Sequence, residues 1–104
     1  NSIRVVNCHL IPQRFTKGNV MEYLKTLPDS IRTTFIAGDF NEKHKIVNST
    51  LNYEFTCPYY GKTYKKKDLD HIVFNSKILN YKHYMIQQYD ISDHNLVELN
   101  IEGF

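Results

Sequence analysis

The chain has 104 residues, of which 41% are hydrophobic and 23% are charged. This length and composition are those of a single soluble domain with a modest core. No apolar stretch is long enough to span a membrane and no signal-peptide pattern opens the chain, so no membrane partner is expected. The net charge of +2 is too small to indicate a nucleic-acid partner by itself.

The first half of the sequence predicts a strand, a helix and a second strand. Ile3–Ile11 is β-prone and places Asn7 and His9 on one face. Apolar residues in Val20–Leu27 follow helical spacing and end at a proline. The β-branched and aromatic segment Thr33–Ala37 predicts a buried strand. A strand–helix–strand unit of this size indicates an α/β fold with a parallel or mixed sheet.

The second half is richer in strands. Glu42–Asn52 fits either a short helix or an ordered loop, and Cys57–Gly61 is typical of a turn. Strands are predicted at Asp70–Phe74 and Tyr81–Gln88, and most clearly at Val97–Ile101, where apolar and polar residues alternate. Polar residues therefore cluster near the ends of several predicted strands, which is where sites assemble in α/β sheets.

The two cysteines, Cys8 and Cys57, lack the spacing of metal ligands. We interpret both as reduced thiols, which favours an intracellular location.

The most informative segment is FIAGDFN, residues Phe35–Asn41. Asp39 and Asn41 are two residues apart, so in extended backbone they point to the same side. A carboxylate beside a neutral amide donor suits a site that holds a cation and stabilises an oxyanion. The structural alternative is that both are ordinary turn residues after a strand.

Metal-assisted phosphodiester hydrolysis needs hard oxygen ligands, an oriented imidazole and preorganised donors to the phosphate. The chain offers all three types of group. The carboxylates are Asp39, Asp70 and Asp93, the imidazoles are His9 and His94, and the amides are Asn41 and Asn7.

Four sequence blocks, in order, resemble the endonuclease/exonuclease/phosphatase superfamily, and in particular its deoxyribonuclease-like and abasic-endonuclease-like members. Together they correspond to the C-terminal half of that domain. The blocks are VVNCHL (Val5–Leu10), FIAGDFN (Phe35–Asn41), DLDHIVF (Asp68–Phe74) and ISDHNLVEL (Ile91–Leu99).

The resemblance implies a role for each matching position. Asp39 would orient the attacking water and bind metal, and Asn41 would donate to the phosphate. His94 would act on the phosphoryl group or as general base, oriented by Asp70, and Asp93 would serve the metal site. His9 would stabilise the phosphate or assist the leaving group, with support from Asn7. The implied cofactor is Mg²⁺ or Mn²⁺, and the implied partner is nucleic acid, with DNA preferred.

The resemblance also implies a fold, namely the C-terminal half of a four-layered α/β sandwich with a mixed β-sheet. Residues 1–104 would then form a partial domain. In the family, the N-terminal half supplies an Asn and a Glu that is the principal metal ligand, and no glutamate of this chain stands in a matching context. We therefore expect a complete site to need that N-terminal half.

Several alternatives stay open at this stage. Ser92–His94 also fits a polar turn, and His9 fits a structural histidine on a strand. Lys65–Lys67, close to several tyrosines, suit either contact with substrate phosphates or plain solvation. His44, His71 and His83 are interpreted as non-catalytic. The functional alternatives are a phosphatase or lipid phosphodiesterase on the same scaffold, and a non-catalytic remnant or interaction module.

Overall fold

The structure is a computed structural model that describes residues 3–11, 33–51, 55–75, 80–88 and 90–102. The predicted helix at Val20–Leu27 lies outside these ranges. In the described residues the strands are β1 (Ile3–His9), β2 (Thr33–Asp39), β3 (Phe55–Thr56), β4 (Asp70–Asn75), β5 (Tyr81–Ile86) and β6 (Leu96–Ile101), and the helix is α1 (His44–Thr50). None of the helical structure seen in these ranges has the length and apolar character needed to cross a membrane.

Four strands form a mixed sheet in the order β1-β2-β4-β3. β1 runs parallel to β2, with His9 opposite Asp39, and β4 runs antiparallel to β2, with Asp70 opposite Asp39. The prediction of a mixed α/β sheet is confirmed. Because of this register, three of the predicted site positions meet at one end of the sheet.

One face of this sheet packs against helix α1. Ile36 and Val73, which are cross-strand partners, form a buried cluster with Phe40 and with Val47 and Leu51 from α1 and its end. Burial of each such side chain contributes about 1.5–3 kcal/mol. The cluster thereby anchors the chain that immediately follows Asp39. For the segment predicted as a short helix or an ordered loop, the structure has a helix at His44–Thr50, seven residues long.

On the opposite face of the sheet, the β5-β6 hairpin, which is a separate antiparallel sheet, packs against β4. The rings of Phe74 and Tyr81 contact at 4.7 Å, and the Tyr60 hydroxyl donates to the carbonyl of Ile72 at 2.7 Å. This cover does not extend to β1, where Ile3 and Val5 are 58% and 68% exposed.

Gly38, just before Asp39, is required by close packing of β1 and β2. Its φ is +146°, and a Cβ there would lie 1.8 Å from the carbonyl oxygen of Cys8. Because the obstacle is backbone, Gly38→Ala is expected to lower the free energy of unfolding by about 3 kcal/mol or more, as measured by urea denaturation.

Gly61→Ala is the matched control. Gly61 also has a positive φ of +115°, but the nearest obstacle is the flexible Met85 side chain, with Sδ at 3.3 Å. We expect a clearly smaller loss there. Equal losses in the two variants would show that the approach of Cys8 is not what demands Gly38.

Candidate active site

Asp39, Asp70, His94 and His9 converge where β1, β2 and β4 meet the loop before β6. His94 Nδ1 lies 2.6 Å from Asp70 Oδ2, and its other ring nitrogen, Nε2, lies 3.8 Å from Asp39 Oδ2. His9 Nε2 approaches the same Asp39 oxygen at 3.6 Å. Of the five predicted catalytic side chains, the structure therefore brings three, His9, Asp70 and His94, close to the carboxylate of a fourth, Asp39.

The two histidines differ in how firmly they are held. His94 is fixed by a short bond in which its Nδ1–H donates to Asp70, and such a partner selects the tautomer with a bare Nε2. His9 is 80% exposed and its contact with Asp39 is too long for a direct hydrogen bond. Nε2 of His94 is likewise beyond direct bonding distance of Asp39 Oδ2, and a water or a substrate oxygen beside the two atoms could hydrogen-bond to both.

The electrostatics of the site act on His94. Partial burial lowers the pKa of this imidazole, but the hydrogen bond and charge of Asp70, with the charges of Asp39 and Asp93, outweigh that effect. The net result is a pKa above its ordinary value of 6.5. Three carboxylates thus favour the protonated form, which suits a group that must accept a proton.

Asn41, the fifth predicted catalytic residue, lies in the turn after β2. Its φ is +49°, its backbone N–H donates to Asp39 Oδ1 at 2.8 Å, and its Nδ2 donates to the carbonyl of Leu10. One hydrogen of that amide is used to fasten the turn to the end of β1. The second amide hydrogen is the one that remains for a ligand.

All of these residues except Asp70 line a cleft of about 640 Å³. Among the described residues, its walls include His9, Asp39, Asn41, Asp93 and His94 from the predicted site, and Lys67 from the lysine segment. Asn7, Lys65 and Lys66 are exposed but do not line it. Lys65 instead places its ammonium 5.2 Å from the centre of the Tyr64 ring.

A group of possible metal ligands includes two of the residues that line the cleft, Asp39 and His94. One ligand atom from each of Asp39, Asp70 and His94 falls within 4.8 Å of the others. Carboxylate oxygens are the donors that Mg²⁺ and Mn²⁺ prefer, so this donor set fits a hard divalent cation. Asp93, which the sequence prediction pairs with Asp39 as a metal ligand, is exposed on the cleft wall and does not belong to this group.

Two residues that sequence reasoning did not place in the site hold it together. Thr63 is fully buried, and its Oγ1 accepts from the backbone N–H groups of Leu69 at 3.1 Å and Asp70 at 3.0 Å. Tyr64 lines the cleft and lies against the His94 ring, with centroids 4.6 Å apart. Neighbouring tyrosines and lysines mark this segment in the sequence, but nothing local marks the threonine.

His71 lies on the opposite face of β4 from Asp70, as strand alternation predicts. It is buried, its Nε2 bonds to the carbonyl of Glu42 at 2.7 Å, and burial lowers its pKa. His44 pairs with Asp68 instead of lining the cleft.

No protein-family model and no curated protein matches the chain. Among solved structures, the chain is similar to CdtB, the biologically active subunit of cytolethal distending toxin. The TM-score is 0.66 and the sequence identity is 16%, over 94% of this chain and 47% of that chain. The chain therefore spans about half the length of this neighbour.

The described strands and helix therefore share the fold of part of CdtB. At this level of identity the likeness shows the fold alone. Membership of the superfamily that the four sequence blocks resemble, and the closer resemblance to abasic endonucleases, both stay predictions.

Proposed function

We propose that this protein hydrolyses phosphodiester bonds with the help of a divalent cation and that its substrate is DNA. The observation that carries the proposal is the Asp70–His94 hydrogen bond of 2.6 Å, which directs His94 Nε2 towards Asp39. This arrangement lies at the strand ends of a fold in which sites assemble at that edge.

In the proposed chemistry, the attacking water lies beside Asp39 Oδ2 and His94 Nε2. Asp39 Oδ2 holds and orients a water, and neutral His94 takes its proton at Nε2 as the oxygen attacks phosphorus. Asp70 stabilises the imidazolium that forms because its carboxylate already faces Nδ1. General base catalysis by a positioned imidazole contributes about 10²–10⁴-fold to the rate.

Charge that builds on the phosphoryl oxygens is stabilised from two directions. Asn41 donates its second amide hydrogen, and exposed His9 donates from β1 or protonates the leaving oxygen. A bound cation, held by Asp39 and Asp70 with Asp93 reached through water, would neutralise phosphoryl charge and activate the nucleophile. In this proposal Asn41 and His9, which both contact Asp39, act on the transition state.

The positions of two lysines favour a polynucleotide substrate. Lys43 and Lys67 come from the loops after β2 and before β4, and both line the cleft with Asp39 and His94. A strand with a phosphate on either side of the scissile bond could pair with these cations. A simple phosphomonoester or the phosphocholine headgroup of sphingomyelin offers no such flanking phosphates; inositol polyphosphates do, and the substrate panel below separates them from DNA.

Lys67→Ala is therefore expected to weaken DNA binding and to reduce the salt dependence of binding by about one phosphate contact. The measurement is fluorescence anisotropy with a labelled oligonucleotide over a series of KCl concentrations. Lys66→Ala is the matched control, since Lys66 is exposed but outside the cleft. Identical salt slopes for the two variants and the wild type would remove this support for a polynucleotide.

We further propose that residues 1–104 correspond to the C-terminal half of a four-layered sandwich whose N-terminal half supplies the Asn and Glu of the family site. The exposed Ile3 and Val5 on β1 are the surface that such a half would cover. Reading the gene upstream of Asn1 tests this proposal. Absence of both segments would favour the alternative of a non-catalytic remnant.

A substrate panel tests the proposed activity. With Mg²⁺, the full-length natural protein is expected to nick plasmid DNA and to leave inositol polyphosphates and sphingomyelin intact. Hydrolysis of either small substrate without nicking would favour the phosphatase or lipid phosphodiesterase alternative and contradict the nuclease.

A further inference from the structure

A second Asp–His pair lies outside the cleft. Asp68 Oδ2 accepts two hydrogen bonds from His44, one from the backbone N–H at 2.9 Å and one from Nδ1 at 3.0 Å. Both side chains are largely shielded, with 15% and 22% exposure. The Tyr59 ring packs on the imidazole, with centroids 4.7 Å apart. Two hydrogen bonds to one charged oxygen make a strong attachment.

This pair is one of three attachments between the same two segments. Near the other end, the Phe40 N–H donates to the Leu69 carbonyl at 2.9 Å. Between them, the Glu42 carbonyl bonds to His71 Nε2 at 2.7 Å. The loop Phe40–His44 is thereby bonded along its length to Asp68–His71, the residues just before and at the start of β4.

That loop needs external support. Asn41 sits in the left-handed region, which costs of order 1 kcal/mol or more for a residue with a Cβ. Lys43, which stands at the N-cap of α1, makes no side-chain cap hydrogen bond. Asp68, from another segment, accepts from the His44 N–H, one of the first N–H groups of α1 that have no partner within the helix.

We propose that Asp68, acting through His44, is a positioning residue that holds the Phe40–His44 loop so that Asn41 and Lys43 face the cleft. Its consequence for catalysis rests on the proposed function, but its consequence for the loop does not. If the pair only stabilised the helix, its loss would loosen the core and the loop together.

The test compares His44→Leu, which removes the Nδ1 donor, with His44→Asn, whose Nδ2 can replace that donor. His83→Leu is the matched control, because His83 is exposed on β5 and its ring contacts are with Tyr60 and Tyr81, outside the loop. The readout is hydrogen exchange at the Asn41 backbone amide, with the Val73 amide in the middle of β4 as internal reference.

We expect His44→Leu to speed exchange at Asn41 about tenfold, with little change at Val73, and His44→Asn to restore protection. Equal acceleration at both amides, or none at Asn41, would overturn the positioning role. Asp68→Asn provides a second variant if His44→Leu fails to fold, since its amide oxygen can still accept from the His44 N–H but lacks the charge. It is expected to speed exchange at Asn41 less than His44→Leu does.

The activity measurement separates this inference from the proposed function. In the protein in its natural chain, His44→Leu should lower kcat for DNA cleavage about tenfold, and His44→Asn should recover most of it. Faster exchange at Asn41 in a protein whose wild type cleaves no phosphodiester would support the positioning role and contradict the proposed function.

Discussion

Asp39→Ala is expected to reduce DNA cleavage on the order of 10³-fold or more while leaving the fold intact. Asp39 Oδ2 faces both His9 and His94, and Oδ1 accepts the N–H of Asn41. Removing the carboxylate therefore removes the water-orienting oxygen, a candidate metal ligand and the support of the Asn41 turn together. Single-turnover nicking of plasmid DNA measures the loss, and circular dichroism confirms folding.

Two further variants make this result specific. Asp39→Asn keeps the shape and the acceptor for Asn41 but lacks the charge, so it should lose nearly as much activity as Asp39→Ala. Asp93→Ala removes an exposed carboxylate on the cleft wall and should cost much less. If Asp39→Asn kept cleavage within tenfold of wild type, or if Asp93→Ala were equally damaging, the central place of Asp39 would be wrong.

Asp70→Asn is expected to reduce cleavage by roughly 10²–10⁴-fold, because the imidazole loses the charged partner that orients it. The pH profile should also change. In the wild type, burial lowers the pKa of His94, and the hydrogen bond and charge of Asp70 raise it to a value above 6.5. Activity that needs the neutral imidazole should rise with pH through this raised pKa, and in Asp70→Asn that limb should move to lower pH.

The same shift has a consequence for stability. Because the folded pKa of His94 is raised, its contribution to stability is fully present below pH 6.5 and is lost as the pH rises through the folded pKa. Asp70→Asn should reduce this dependence, since only the charges of Asp39 and Asp93 then raise the pKa, as followed by NMR titration of the imidazole and by urea denaturation at several pH values. His83→Gln serves as control, and an unchanged His94 titration in Asp70→Asn would contradict the pairing.

Much of the site follows from sequence because it lies on regular strands. Alternation in β2 and β4 fixes the side to which Asp39 and Asp70 point, and antiparallel pairing sets them opposite each other. Alternation also explains why His71 turns into the core. The ordered blocks around them suggested that His94 would join the group, which the structure shows.

What the sequence did not reveal depends on contacts between loops. The bonds of Thr63 to the backbone of Asp70, and of Asp68 to His44, are set by how the loop before β4 folds back. No local periodicity encodes such contacts. The segment of α1 is ambiguous from the sequence for the same reason, since its start is held by Asp68 from another segment. The metal role of Asp93 is implied by the family resemblance and stays a prediction, while the side chains whose ligand atoms lie together are those of Asp39, Asp70 and His94.

Metal-assisted cleavage of DNA at this site is tested by relaxation of supercoiled plasmid by the full-length natural protein, with Mg²⁺ and with EDTA. If the cluster of Asp39, Asp70 and His94 is a metal-assisted phosphodiesterase site, the wild type nicks the plasmid in Mg²⁺ but not in EDTA. His94→Gln then leaves the plasmid supercoiled under both conditions. Nicking that persists in EDTA or in His94→Gln, or a folded wild type that leaves the plasmid supercoiled in Mg²⁺, would contradict the account.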